Sequence, residues 1–159
     1  AEENPGGAKP LCDSGIFEKH HVRCIFGFHL WPGLPQGEIF TCPGPMMAKS
    51  SEITLHAHGK SVHISRYSEG ADSIWAASEF LRRAYAAERT LFAPEVPRLL
   101  RFGRIEGGRI RNAVAAETVL EGSLRAFTLE HFSALKGRCE EIAAEVGQET
   151  GCGMELTFS

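Results

Sequence analysis

Ser51-Glu52-Ile53-Thr54-Leu55-His56-Ala57-His58 is the stretch on which the fold turns. Ile53, Leu55 and Ala57 alternate with Thr54, His56 and His58, the period of two that marks a strand buried on one face only. Downstream the period changes. Ile74, Ala77, Leu81 and Ala84 recur at helical spacing across residues 72–91, with Asp72 as N-cap, and Pro94 and Pro97 prevent that helix from running on. Residues 98–105 form a second strand, Gly107-Gly108 a turn, and residues 116–126 a third strand with Leu120, Leu124 and Ala126 on one face. Thr128 then caps a long helix, flanked by Phe127 and Phe132 at the two positions of a hydrophobic staple. Phe132, Leu135, Cys139, Ile142 and Val146 are its apolar stripe, and Gly147 is the expected stop. Met154, Leu156 and Phe158 alternate in a last strand. Strand, helix, strand, strand, helix, strand predicts an α+β fold over residues 51–159: a four-stranded antiparallel sheet with two helices on one face.

Upstream the character changes. Residues 1–50 hold six of the eight prolines, so they support short strands and turns rather than a long helix. Val22 to Trp31 is the one apolar run there and reads as a short buried strand ending at Pro32. The whole chain has 159 residues, 43% hydrophobic and 23% charged, which suits one ordinary globular domain. A net charge of -3 lacks the basic excess of a nucleic-acid binder, and no apolar run approaches the roughly 18 residues of a membrane span. Five scattered cysteines without a C-x-x-C pair suit free thiols in a reducing compartment, so a cytoplasmic location is expected. The chain begins with Ala1 rather than Met and stops inside the last strand, as a piece of a longer protein would.

Three groups could carry chemistry. Adjacent Glu2 and Glu3 precede a Gly-rich loop and can divide metal binding from proton transfer, although such a pair at a terminus is more often simply solvated. His29 ends the apolar run, a place suited to a metal ligand and equally to a hydrogen-bonded structural histidine. His56 and His58 share a strand face, where two solvated imidazoles are the commoner outcome, and His63 follows that strand. No phosphate loop opens a helix, no G-x-S-x-G motif is present, and no cysteine has a partner at a diagnostic spacing.

The order of these signals is more specific than any one of them. Ala1-Glu2-Glu3, Gly6-Gly7-Ala8-Lys9, Ile25-Phe26-Gly27-Phe28-His29-Leu30-Trp31-Pro32, Gly37 and Pro45-Met46-Met47-Ala48 succeed one another. Gly59-Lys60-Ser61-Val62-His63, Gly70-Ala71-Asp72-Ser73-Ile74, Gly107-Gly108, Asn112 and Gly122-Ser123-Leu124-Arg125-Ala126-Phe127 follow. This series, over essentially the whole chain, resembles the two-metal amidohydrolases of the aminoacylase/carboxypeptidase clan: hippurate hydrolases, N-acyl-amino-acid deacylases and indole-acetyl-amino-acid hydrolases.

The resemblance implies a middle portion of a two-domain enzyme, with residues 1–50 a partial catalytic-domain segment and residues 51–159 the lid, or dimerisation, domain. It implies two divalent metal ions, Zn or Mn, with Glu3 and His29 among the ligands and Glu2 as the general base that deprotonates metal-bound water. By the same resemblance His63 polarises the scissile carbonyl across a dimer, and Asn112 and Arg125 hold the substrate carboxylate. The implied substrate is an N-acyl amino acid or short peptide, and the implied partner is a second copy, paired through the lid's sheet edge. Strands 51–58 and 98–105 contain no proline that would bar such pairing. The family's remaining ligands lie outside this sequence, so the isolated chain is expected to be inactive. Two departures stand out: Ala113-Val114-Ala115-Ala116 where the family often has Pro, and Ser61-Val62 where small residues precede the lid His. The alternative is a non-catalytic α+β module for dimerisation or small-ligand binding.

Overall fold

The structure, a computed structural model, describes residues 7–159. It divides into two compact units at Cys42/Pro43. In the first, two short helices, α1 (Ala8–Asp13) and α2 (Ile16–Lys19), precede an irregular segment with no regular structure before residue 49.

In the second unit β1 (Lys49–His58) is followed by a 3-10 helix (Ile64–Glu69), α3 (Ser73–Thr90), β2 (Arg98–Gly107), β3 (Glu117–Ala126), α4 (Leu129–Thr150) and β4 (Gly153–Phe158). The strands make one antiparallel sheet in the order β2-β3-β1-β4. Leu55 lies between Leu120 and Leu156, and Leu100 pairs with Leu124, so the apolar positions meet on one face. That face and the two helices enclose Ile53, Leu55, Leu100, Leu120 and Leu124 from the sheet with Phe80, Leu135 and Ile142 from the helices, all fully buried. Phe80 meets Phe102 edge to face at 6.0 Å. The other face is open and polar, with Glu52, Thr54 and His56 on the central strand.

Both expected caps form. Asp72 accepts from the Ile74 and Trp75 amides at 2.9 and 3.2 Å, and Thr128 from the His131 amide at 3.1 Å. Four expectations need correction. Val22 to Trp31 is not a strand: Phe26 and Phe28 are each 83% exposed and Leu30 93%, and without strands beside it the segment cannot satisfy a ladder. The α3 stripe runs through Ala76, Ala77, Phe80 and Ala84 with Leu81 packed at its margin, but Ile74 is not part of it, because burying the Phe80 ring turns Ile74 toward solvent. Gly147 does not stop α4. The helix continues to Gly151, which takes the left-handed conformation (φ 70°), while a side chain on Gly147 would meet Met154 Cγ at 3.2 Å. Finally, strand 51–58 is central, so the sheet edges are β2 and β4.

Candidate functional site

The loop after β1 is built by close backbone approach. Gly59 donates to Ala116 O at 2.7 Å, and Lys60 and Ala71 exchange both their amide hydrogen bonds. A Cβ on Gly59 would stand 2.1 Å from Ala71 O, so only glycine lets these two segments touch. Ser73, fully buried, fastens the same region from the helix side: its hydroxyl donates to Ala115 O at 3.0 Å and lies 3.0 Å from Thr118 Oγ1.

This framework brings His63 and Asn112 together although 49 positions separate them. The Ile64 amide donates to Asn112 O at 2.9 Å, the Val114 amide to Val62 O at 2.9 Å, and His63 bridges Ala113 through the backbone. His63 caps the 3-10 helix. Its Nδ1 accepts from the Ser65 amide at 3.3 Å and lies 2.8 Å from Ser65 Oγ. A neutral imidazole that accepts at Nδ1 carries its proton on Nε2, so the exposed ring presents a hydrogen-bond donor. Ser65, which orients the ring, was not among the sequence candidates. The cue was available in retrospect, since a hydroxyl two residues after a histidine at a helix start is placed for such a turn.

Arg125 is elsewhere. It pairs with Ser50 near the start of β1, whereas His63 follows the end of that strand. Eight strand residues between the two levels make roughly 25 Å, more than a small amide substrate spans. Its guanidinium reaches Ser123 Oγ at 3.4 Å on the open face.

His29 is exposed and ends no strand, which corrects the expected setting. Its Nδ1 donates to Leu30 O at 2.7 Å, and its ring lies tilted 5.9 Å from that of Trp31. The proton on Nδ1 leaves the lone pair on Nε2, the tautomer opposite to that of His63 and the one a metal-ligating Nε2 requires. Glu2 and Glu3 lie outside the described residues. Among the described residues no group of three or more His, Cys, Asp or Glu is placed to hold a metal ion, so they do not by themselves fit a metal centre. His56 and His58 stack with rings 6.1 Å apart, and His58 Nε2 lies 3.7 Å from a Glu155 carboxylate oxygen. No described helix is long and apolar enough to cross a membrane.

The family model for the peptidase dimerisation domain of the M20 group matches residues 48–151. N-acetyldiaminopimelate deacetylase of Brevibacillus brevis is 31% identical over 158 residues, covering 99% of this chain and 41% of that protein. Its namesake from Listeria monocytogenes is 31% identical over 156 residues, covering 98% of this chain and 42% of the relative. The chain thus spans about two fifths of the length of the curated relatives it matches. A solved structure described as an aminohydrolase of methicillin-resistant Staphylococcus aureus superposes with a TM-score of 0.89 at 21% identity, over 99% of this chain and 42% of that one. The Bacillus subtilis YXEP protein, described as a dinuclear metal-binding peptidase of the M20 family, gives 0.68 at 23% identity, over 96% and 36%.

Proposed function

Since this chain belongs to the M20 peptidase family through its dimerisation domain, we propose that it is the lid and part of the catalytic domain of a metal-dependent amidohydrolase acting on N-acyl amino acids. The names of the curated relatives narrow the proposal to removal of an acetyl group from an amino acid, and the isolated chain is read as inactive. In this reading Glu2 is the general base, and Glu3 and His29 are ligands to ions held largely by residues beyond this stretch. His63 donates its Nε2–H to the carbonyl oxygen as negative charge develops there, a fixed donor that needs no reorganisation during the reaction. Asn112, tied to the same loop, contacts the substrate carboxylate, and Arg125 offers a second, bidentate contact.

The observation that carries the proposal is the separation of Arg125 from the His63–Asn112 pair along β1. One protomer cannot close both on a single small substrate, whereas two protomers related by a two-fold axis each supply one end. The edge strand β2 has ten residues without proline and suits such a pairing, an isologous contact that closes at two.

Hybrid dimers of the parent enzyme test this. Glu2→Gln and His63→Ala homodimers are each expected to be inactive. Mixed and reassembled in equal amounts, they are expected to recover about a quarter of wild-type turnover, because half the dimers are hybrid and each holds one intact site. Recovery no greater than the sum of the parents would overturn a site shared between subunits.

A further inference from the structure

The main chain at His63 is held from three directions. The Ile64 amide donates to Asn112 O, the Val114 amide to Val62 O, and the Arg66 amide to His63 O at 2.8 Å where the 3-10 helix begins. His63 itself is extended (φ -59°, ψ 140°), the setting of an N-cap, from which a side-chain acceptor reaches the amide two residues on. What these bonds leave open is the rotation of the ring about χ1 and χ2. The ring is exposed, and an exposed side chain without a partner changes rotamer within nanoseconds. A hydrogen-bond donor that wanders in this way has no fixed aim.

Among the described residues Ser65 makes both of the hydrogen bonds that the His63 ring forms. The two are unequal. The Ser65 amide stands 3.3 Å from Nδ1, beyond the usual length of such a bond, whereas the hydroxyl stands at 2.8 Å, an ordinary one. They also decide each other. A backbone N–H can only donate, so Nδ1 offers its lone pair, and the hydroxyl, which by itself could turn either way, must donate as well. His29 shows what a different neighbour does: beside the Leu30 carbonyl, an acceptor, its proton goes to Nδ1. The neighbour of Nδ1 therefore sets which nitrogen carries the proton, and at His63 that neighbour is Ser65.

We infer that Ser65 is a positioning residue for the amide hydrolysis: its hydroxyl holds the His63 ring in one orientation and one tautomer, with Nε2–H presented to the developing oxyanion. The inference rests on the amidohydrolase reading. Ser65 touches no reacting atom, and its proton is shared with Nδ1 rather than transferred, so it acts through His63 alone. A donor fixed in place before the reaction stabilises a developing charge more than one that must first be turned toward it. The substrate carbonyl carries little of that charge before attack. Loss of the Ser65 hydroxyl therefore weakens the transition state and leaves substrate binding nearly as it was.

Imidazole nitrogen chemical shifts of this 159-residue chain test the lock without turnover. They are recorded at about pH 8.5, where an ordinary imidazole is neutral, and the His63 signals are those that His63→Gln removes. In the wild-type chain His63 is expected to show a bare Nδ1 and a protonated Nε2. In Ser65→Ala the two shifts are expected to move toward each other as both tautomers become populated, and in Ser65→Thr, which keeps the hydroxyl, to stay as in the wild type. Mixed tautomers in the wild-type chain, or a Ser65→Ala spectrum identical to it, overturn the inference. In the parent enzyme Ser65→Ala is expected to lower kcat about threefold to tenfold, the range of one net hydrogen bond, with KM changed less than about twofold. Ser65→Thr is expected to restore most of the loss, whereas His63→Ala, which removes the donor itself, costs about a hundredfold or more. An unchanged kcat in Ser65→Ala, or a loss that Ser65→Thr does not restore, overturns the role of Ser65 alone when His63→Ala is inactive. Undiminished turnover in His63→Ala overturns the role given to His63 in the amidohydrolase reading, and the nitrogen shifts then judge the lock by themselves.

Discussion

The two units of this chain contain the same kinds of residue and treat them in opposite ways. Residues 43–159 bury Leu55, Phe80 and Leu120 completely, whereas before residue 43 Phe26, Phe28 and Leu30 stand almost wholly in solvent. Local pattern does not explain the contrast, because Val22–Trp31 is as apolar as any strand of the sheet. What differs is the supply of partners. β1 finds β3 on one side and β4 on the other, and two helices cover its apolar face. The first unit has only short helices of its own, whose residues are all exposed or partly so. A run of apolar residues states a demand for burial, and only neighbouring chain can meet it.

Thiol chemistry gives the largest expected difference between the units. Cys12, Cys24 and Cys42 are exposed, while Cys139 and Cys152 are buried, and burial pushes the Cys139 thiol up to about 12. Ionisation is needed for attack, so an aromatic disulfide reagent is expected to titrate three thiols at once under native conditions. The other two should wait for unfolding and react more than about a thousandfold more slowly, if the sheet unit has an ordinary domain's stability. Five fast thiols would dissolve the comparison.

Paired truncations sharpen it energetically. Phe80→Ala empties the centre of the helix–sheet core and is expected to cost about 3–5 kcal/mol. Phe28→Ala removes an equal ring from solvent and is expected to change stability by less than about 0.5 kcal/mol. Urea unfolding followed by far-ultraviolet circular dichroism separates the two. A cost above about 1 kcal/mol for Phe28→Ala would mean that the first unit contributes to a core after all.

How much of this was legible beforehand follows the same line. Alternation in β1 and β3, the Thr128 and Asp72 caps and the α4 stripe are local signals, and the folded chain keeps them. The missed features are tertiary. The α3 stripe turns on where one large ring, Phe80, finds Phe102, and the helix end moves from Gly147 to Gly151 because Gly147 packs beside Met154. The meeting of His63 with Asn112 depends on the Gly59–Ala71 approach, which no periodicity announces, although family resemblance had named both residues. Resemblance likewise named Arg125, but only the strand register reveals its distance from the other two.

The smallest expected effect concerns charge. In the first unit Lys9 and Asp13 pair within one short helix at 2.8 Å, both exposed, and their removal is expected to leave stability unchanged. In the second, Arg83 of α3 reaches Glu149 of α4 as well as Glu79 on its own helix, so the ions tie two elements that must pack together. Hydrogen bonds from Arg82 and then Arg83 hold the Glu79 carboxyl down at about 2, against an ordinary value near 4.5. A carboxyl depressed in the folded state stabilises above its unfolded value, and that contribution fades as pH falls from about 4.5 toward about 2. The urea midpoint is therefore expected to drop between pH 7 and pH 3, and to drop less in Glu79→Gln. Glu145 and Glu149, depressed by Arg138 and Arg83, keep a residual slope in that variant, so the difference between the two drops isolates Glu79. Solvent around the pair keeps the difference small. Identical drops in the two proteins would show that the α3–α4 ion network is as inconsequential as the Lys9–Asp13 pair, and that apolar burial alone separates the units.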